Sequence, residues 1–374
     1  MSQANQVRQV RLGAAEFCDA IRDPAGCERL STAGGAAPVV LDVRDADDAR
    51  LLDLAVLGDG VPLRDCPGAG LATVVVAAVH RPALATAAAF ADVVLDPDDA
   101  ALGRVSATVA ANPLAATSCA LLLRSAPATP RRATAAAVMA GLVAESATFS
   151  ALQSGPEFAR WRAATPIRPD TTGDRRVSVR RDGGLLEVTL DRPGRHNALD
   201  TAMRDALVEA LTLAVSTPGV RIRLRGAGPS YSAGGDLDEF GAAGAPATSH
   251  VVRLTRSPGW LMHLLAARTE VHLHGACLGS GIELPAFAGH VVAAPDTRIG
   301  LPEIGLGLIP GAGGTVSLPH RIGRHRTAYL ALSGERIDAR TALNWGLVDA
   351  VTEPPEEASP EGRHRVGLLT RRGQ

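Results

Sequence analysis

The sequence predicts an α/β protein in which short buried strands alternate with amphipathic helices. Hydrophobic residues make up 46% of the 374 residues and charged residues 21%, proportions typical of a globular protein rather than a disordered one. Apolar runs of strand length recur along the chain, separated by helical segments and by glycine- or proline-marked turns. Strands that alternate with helices indicate a layered α/β architecture. The length corresponds to about two domains, each able to bury a core.

Charge and composition exclude several classes of function. The 38 basic residues, all arginine, nearly balance 39 acidic ones, so the net charge of −1 lacks the basic footprint of a nucleic-acid-binding protein. No run approaches ~18 apolar residues and the N-terminus is polar, so we expect neither a membrane span nor a signal peptide, and a cytoplasmic location. The five cysteines form no C-x-x-C motif, so we expect no metal site and reduced thiols.

The first half is rich in alanine and combines strands with a long helical part. Residues 39–43 and 72–76 have the apolar character of buried strands. The pattern becomes helical over residues 100–162, with a proline- and arginine-containing break at 126–131. Turn-forming residues at 168–176 predict a boundary, so we divide the chain into residues 1–168, a core at 174–352 and a disordered tail at 353–374.

The second half opens with a hairpin and continues with alternating helices and strands. Residues 177–179 and 185–190 flank the turn at Asp182, Gly183 and Gly184, which is typical of a β-hairpin. Asp200 is a suitable N-cap for a helix that runs to about Val215. Further strands are predicted at three short apolar segments, residues 220–224, 271–274 and 291–294.

Three glycine-rich segments, at residues 231–237, 275–284 and 302–314, are the candidates for chemistry. Glycine at a strand end lets a ligand approach the backbone and leaves N–H groups free to meet an anion. None of the segments fits a nucleotide-binding fingerprint or a serine nucleophile elbow, and a chain without lysine has no Walker loop. His272 and His274 point to the same side of a strand, but no third ligand accompanies them.

Read in order and spacing, the motifs resemble the enoyl-CoA hydratase/isomerase, or crotonase, family over about residues 177–351. The matching stretches are Asp191-Arg192-Pro193 with Asn197-Ala198-Leu199, Ser232-Ala233-Gly234-Gly235-Asp236-Leu237, His274-Gly275 with Gly279-Ser280-Gly281-Ile282-Glu283-Leu284, Leu301-Pro302-Glu303 with Gly307-Leu308-Ile309-Pro310-Gly311-Ala312-Gly313-Gly314, Leu332-Ser333-Gly334, and Gly346-Leu347-Val348. The resemblance implies a spiral of ββα turns and chemistry on an acyl thioester of coenzyme A.

The resemblance also assigns catalytic roles. It implies that the backbone N–H groups of Gly235 and Ser280 stabilise a thioester enolate, although Ser280 replaces the family's commoner glycine. Glu283 and Glu303 match the two catalytic glutamates of hydratases, Glu283 activating water and Glu303 handling the α-proton. Isomerases of this kind often keep one of the two, so the pair favours a hydratase.

Coenzyme A is expected as part of the substrate, and no separate cofactor is implied. The residues expected to contact substrate or coenzyme A are Arg195, Asn197, Ala198, Leu199, Ala233, Asp236, Leu237 and Pro310. Asp236 is also expected to fix the turn that presents Gly235. The alternatives are another family reaction, isomerisation or cofactor-free oxygenation, and a non-catalytic acyl-CoA-binding subunit.

The chain departs from the family in the order of its parts. Family members continue into helices that close the site and build trimers, whereas here comparable helical segments precede the core. We therefore expect residues 1–168 to be a degenerate crotonase-like repeat that supplies those helices, and the protein to be a homo-oligomer, a trimer or hexamer. The alternative is an unrelated alanine-rich helical domain.

Overall fold

The computed structural model describes residues 8–58, 60–168, 175–242 and 244–352, and it confirms the α/β class. The expected tail at 353–374 lies outside the described residues, as does the middle of the boundary segment. Within the described ranges the strands form two larger sheets, one in each half of the chain, and two small ones.

The elements of the first half are given in chain order. They are β1 (Arg8–Gly13), α1 (Ala14–Arg22), α2 (Pro24–Arg29), β2 (Ala36–Val43), α3 (Ala46–Leu54), β3 (Val56–Leu57), β4 (Val61–Pro62), β5 (Val75–Val79), β6 (Val93–Leu95), α4 (Ala100–Ala111), α5 (Pro113–Arg124), α6 (Ala135–Gln153) and α7 (Pro156–Ala164). The expected helices and the break between them are present. The second predicted strand begins at Val75 rather than Ala72. Before it, the Ala72 carbonyl accepts from the Thr32 N–H (2.9 Å) and the Thr73 hydroxyl donates to the carbonyl of Ala36 in β2 (2.7 Å).

The second half follows in the same way. Its elements are β7 (Val177–Asp182), β8 (Leu185–Leu190), α8 (Thr201–Val215), β9 (Arg221–Gly226), α9 (Pro246–Thr255), α10 (Pro258–Leu264), β10 (Thr269–Leu273), β11 (Ala276–Leu278), α11 (Ser280–Glu283), β12 (His290–Ala293), β13 (Arg298–Gly300), α12 (Gly314–Ile322), α13 (Arg324–Ser333), β14 (Ile337–Asp338), α14 (Ala339–Trp345) and β15 (Ala350–Val351). The hairpin is confirmed, with β7 antiparallel to β8. Asp200 caps α8 by accepting a 2.7 Å hydrogen bond from the Met203 N–H.

In both larger sheets four parallel strands lie side by side in the order in which they occur along the chain. In the first half the parallel strands lie in the order β1-β2-β5-β6. In the second half β8, β9, β10 and β12 are likewise parallel neighbours in chain order, with β7 and β15 at the edges. This similarity agrees with an internal repeat, but the duplication itself stays a prediction.

Alternation along the strands of the first sheet divides its side chains between two cores. Val39, Leu41 and Val75 pack with α1 in a separate cluster, whereas Val40 and Val76 face the large core. The large core also contains residues of α4, α5 and α6 together with most apolar residues of the second half. The helices of the first half are therefore part of the same packed body as the second half.

Helix α6 is the element of the first half that reaches farthest into the second. Its length and mean hydropathy of 1.5 would suffice for a membrane span. In the fold it packs against α5, α9, α10 and α12, which accounts for its apolar surface. The contact is close: a Cβ built on Gly141 would lie 2.7 Å from a Val316 methyl carbon.

Candidate active site

A cavity of about 520 Å³ lies between the glycine-rich loops of the second half and the helices α6, α9 and α10. Its wall includes all four predicted catalytic residues, Gly235, Ser280, Glu283 and Glu303. Its apolar surface comes from both halves of the chain, from Leu142, Phe149, Leu199, Phe240, Val252, Leu254 and Leu284. A largely apolar cleft with a few convergent polar groups is the usual form of a small-molecule site.

The backbone geometry leaves the N–H of Gly235 free. Leu199 forms a parallel bridge to Gly235, donating to the Gly234 carbonyl (2.8 Å) and accepting from the Asp236 N–H (3.0 Å). A parallel bridge of this kind uses the residues on either side of Gly235, not Gly235 itself. Within the described residues the Gly235 N–H has no hydrogen-bond acceptor, and the residue lines the cavity.

Ser280 lies next to Gly235 because two segments run side by side. Ser232 and Cys277 form a parallel bridge, and a Cβ built on Gly234 would lie 2.8 Å from the Leu278 carbonyl oxygen and 3.7 Å from the Cα of Gly279. Ser280 is the first residue of α11, where backbone N–H groups have no partner inside the helix. In the described part of the chain neither its N–H nor its buried hydroxyl oxygen has a hydrogen-bond partner.

The carboxylates of Glu283 and Glu303 converge at Gly279. A Cβ built on Gly279 would lie 2.2 Å from Oε1 of Glu303 and 3.8 Å from Oε1 of Glu283. Gly279 has φ +50°, and both this angle and the nearby carboxylates exclude a larger side chain there. Oε2 of Glu283 accepts 2.8 Å hydrogen bonds from the Ala312 and Gly314 N–H groups, whereas the buried Oε2 of Glu303 has no partner among the described residues.

Burial changes the acidity of both groups. Loss of solvent is the main cause that raises the pKa of Glu303 to about 8. Burial raises the pKa of Glu283 well above its usual value, and the charges of Glu303 and Glu145 add to this effect. The two amide donors on Glu283 act in the opposite direction and favour its ionised form. Both glutamates therefore hold a proton to a higher pH than exposed carboxylates do.

A third buried carboxylate, Glu145, reaches the same loop from α6. It accepts from the N–H groups of Gly313 (2.7 Å) and Thr315 (2.9 Å) and from the Thr315 hydroxyl (2.7 Å). Successive amides of residues 312–315 thus alternate between Glu283 and Glu145. Burial raises the pKa of Glu145 to about 7. Sequence reasoning missed this residue, although it is the one ionisable side chain in the 19 residues of α6.

Only some of the residues predicted to contact coenzyme A line the cavity. Leu199 and Asp236 line the cavity. Those that do not line it are Arg195, Asn197, Ala198, Ala233, Leu237 and Pro310. The amide of Asn197 is fully buried, accepting from the Arg192 N–H and donating to the carbonyls of Ala227 and Ser230. Its main chain is also bonded within the protein, the N–H to the Arg192 carbonyl (3.0 Å) and the carbonyl to the Ser232 hydroxyl (2.8 Å). Coenzyme A binding by the predicted residues stays a prediction.

Charged side chains fix the corner that presents Gly235. Asp236 is buried and forms a 2.6 Å ion pair with Arg192, and its other oxygen accepts from the Asp238 N–H (3.0 Å). Arg195 pairs with Asp238 and donates to the Arg168 carbonyl (2.9 Å). These contacts hold the loop at 192–199 against the loop at 233–238.

Comparison with known proteins agrees with the motifs. The family model described as enoyl-CoA hydratase/isomerase matches residues 180–367. The 2,3-dehydroadipyl-CoA hydratase of Escherichia coli is 36% identical over 177 residues, which cover 46% of this chain and 68% of that protein. The cyclohexa-1,5-dienecarbonyl-CoA hydratase of Thauera aromatica is 34% identical over 188 residues, covering 49% and 70%.

A solved structure shows the same coverage. The enoyl-CoA hydratase of Thermoplasma volcanium is 32% identical, covers 48% of this chain and 73% of its own, and has a TM-score of 0.44. The family model covers just over half of the residues, all in the second half, and the relatives match over most of their own length. On this evidence the chain belongs to the enoyl-CoA hydratase/isomerase family.

Proposed function

We propose that the protein is an enoyl-CoA hydratase that adds water across the α,β double bond of an acyl-CoA thioester. The observation that carries the proposal is the convergence of Glu283 and Glu303 at Gly279, beside the free N–H groups of Gly235 and Ser280. Hydration needs one group that activates water and another that supplies a proton, and a single carboxylate would suffice for a proton shift.

The thioester oxygen is assigned to the two backbone amides. Attack at the β-carbon moves charge onto this oxygen, and two fixed N–H donors stabilise the resulting enolate without reorganisation. Gly235 and Ser280 belong to neighbouring segments and line the same cavity, which supports one oxygen accepting from both. The remaining chemistry then takes place at the carbons next to the thioester, where the carboxylates point.

The hydrogen-bond asymmetry assigns the roles of the glutamates. Glu283, ionised with the help of two amide donors, takes a proton from water as the oxygen bonds to the β-carbon. Glu303, whose pKa burial raises to about 8 and whose Oε2 has no partner among the described residues, is protonated and gives its proton to the α-carbon. The net reaction adds one water, and the proton gained by Glu283 must return to Glu303 or solvent before the next turnover.

The test is incubation of the purified protein with a panel of trans-2-enoyl-CoA thioesters and no added cofactor. Hydration removes the absorbance of the conjugated thioester and gives a product heavier by one water. A product of unchanged mass would identify an isomerase instead. Tight binding of the thioester without any change in it would indicate a binding subunit and overturn the proposal.

A further inference from the structure

Arg253, on α9, lines the cavity where its wall is formed by α6. Contacts with α6 hold its guanidinium group rigidly. Its Nε donates to the Ser146 hydroxyl (3.0 Å), and Nη2 donates to the Ser146 carbonyl (3.2 Å) and to the Ser150 hydroxyl. The guanidinium carbon also lies 4.8 Å from the centre of the Phe149 ring. A cation fixed by three hydrogen bonds and an aromatic face is preorganised for a ligand.

Arg253 forms no direct ion pair among the described residues, although the charge of Glu145 nearby favours its charged form. None of their carboxylates lies within 4 Å of it, and the oxygens of nearby Glu145 are occupied by Gly313 and Thr315. Nη1 has no acceptor in the described part of the chain, so two N–H donors remain available. Burial lowers the pKa of the guanidinium to about 10, so it stays charged at neutral pH.

An apolar path leads from the proposed thioester site to this cation. A Cβ built on Gly235 would lie 2.7 Å from ring carbons of Phe240. The Phe240 ring meets Phe149 edge-on at 6.2 Å, and the face of Phe149 carries the Arg253 guanidinium. An acyl chain held at the Gly235 amide would follow these rings, and its far end would meet a half-buried positive charge.

We propose that Arg253 binds a carboxylate at the far end of the acyl chain, so that the preferred substrates are enoyl-CoA thioesters of dicarboxylic acids. This inference rests on the proposed hydratase function. An arginine with free N–H groups suits a carboxylate, and a partly desolvated cation that forms no direct ion pair makes the same pocket unfavourable for a plain alkyl end. The apolar rings select for methylene groups between the two ends.

The test compares trans-2-enoyl-CoA thioesters that differ only in a terminal methyl group or carboxylate, at chain lengths of six and eight carbons. We expect the wild-type protein to favour the carboxylated thioester in kcat/KM at one or both lengths. Arg253→Met should reduce kcat/KM for that thioester by roughly 10- to 100-fold, the usual loss for a hydrogen bond to a charged group. In the same variant kcat/KM for the uncharged thioester should rise, because a methionine no longer presents a partly desolvated charge to the alkyl end.

Two further variants separate recognition from folding. Arg253→Lys keeps a charge without the planar fork and should retain part of the preference. Arg160→Met is the matched control, because Arg160 also ties two helices together, donating to the Ala111 carbonyl and the Asn112 side chain, but does not line the cavity. It should leave the preference unchanged.

The possible outcomes distinguish the inference from the proposed function. Equal hydration of both thioesters by the wild-type protein, or a preference for the uncharged one, would overturn the inference and leave the hydratase intact. If Arg253→Met weakened both thioesters equally, the anion on Arg253 would be a coenzyme A phosphate, and the acyl carboxylate would be excluded. If neither thioester were hydrated, the proposed function would fail, and the ratio of their dissociation constants in wild type and Arg253→Met would still decide the subsite.

Discussion

The two halves of the chain contribute to the cavity in different ways. The second half provides loops and the short helix α11, which follow strands and carry Gly235, Ser280, Glu283 and Glu303. The first half provides one face of a helix, α6, with Leu142, Glu145 and Phe149. Loops after strands can aim backbone N–H groups and carboxylates at one point, whereas a helix offers a rigid wall. The site is therefore complete only when both halves are packed together.

The largest expected effect comes from removing the first half. A fragment of residues 174–374 would lose α6 and uncover the apolar groups beneath it, including Val316 and Gly311, which contact Gly141 and Phe149. Such exposed surface leads to aggregation. We expect the fragment to be poorly soluble or inactive, and co-expression of residues 1–168 to restore activity.

Sedimentation and hydratase assays of the fragment, with and without its partner, check this dependence. The full chain serves as the reference in both measurements. A monodisperse and fully active fragment would show that the first half is a separate module, and that the walls of the cavity do not depend on α6.

The second expected effect concerns the glutamates of the loops. Glu283→Gln and Glu303→Gln should each lower kcat by about 10²–10⁴-fold, the range for loss of a general acid or base. Acyl-CoA binding should change little, because neither oxygen is assigned to the thioester. Steady-state kinetics together with calorimetric binding of a saturated acyl-CoA measure the two quantities. Wild-type turnover in either variant would remove the role assigned to that residue.

Sequence patterns predict the loop residues better than the helix residues, for a physical reason. Glu283 and Glu303 lie in local motifs whose glycines give the backbone its course, so position in the motif predicts position in the site. Glu145 reaches its partners across a separation of 168 residues, from Glu145 to Gly313, and no local pattern records that contact. The available signal in the sequence was that Glu145 is the one ionisable residue in an otherwise apolar helix.

The predicted coenzyme A contacts and the elements of the first sheet also show where local sequence patterns stop predicting the structure. Arg195 and Asn197 carry the expected residue types, but their side chains bind neighbouring loops, a use that depends on packing between segments. In the second half β7, β8, β9, β10 and β12 were predicted within a few residues because apolar runs and turns bound them, whereas β11, β13, β14 and β15, of two or three residues each, were not. In the first half β1 and α1 to α3 were not predicted, since six to nine residues are too few to show a clear periodicity.

A third expected effect isolates a single backbone donor. Gly235→Pro removes the N–H and also adds a Cβ close to Phe240, whereas Gly235→Ala adds the Cβ and keeps the N–H. The proline variant should be slower than the alanine variant by about 10²–10³-fold in kcat, the usual loss of one such donor. Comparable turnover of the two variants would contradict the placement of the thioester oxygen at Gly235.

A fourth prediction uses the pH dependence of stability. The pKa of Glu303 in the folded protein, about 8, lies above its value of 4.5 in an unfolded chain, so the folded state favours the protonated group. The protein therefore loses stability as pH rises from about 4.5 to about 8. In Glu303→Gln this loss should be smaller. Melting temperatures across that pH interval check the sign, and an unchanged slope in the variant would contradict it.

The smallest expected effect tests whether the helix wall also tunes the loop chemistry. Glu145 shares the 312–315 amides with Glu283, and its charge raises the pKa of both Glu283 and Glu303. Glu145→Gln removes that charge, so both pKa values fall and both limbs of the activity profile move to lower pH. The rate at the new optimum should fall by about tenfold or less, because the variant alters the position of a catalytic group rather than removing one.

The matched control for this variant is Glu157→Gln. Glu157 is also a buried carboxylate of the first half that accepts from two backbone N–H groups, those of Leu114 and Ala115, but it does not line the cavity. Its variant should lower stability, yet its pH profile should coincide with that of the wild type. A lower rate without displaced limbs in Glu145→Gln would mean that α6 only supports the loop. Displaced limbs in Glu145→Gln alone would show that a helix from the first half sets the acidity at which the loops of the second half work.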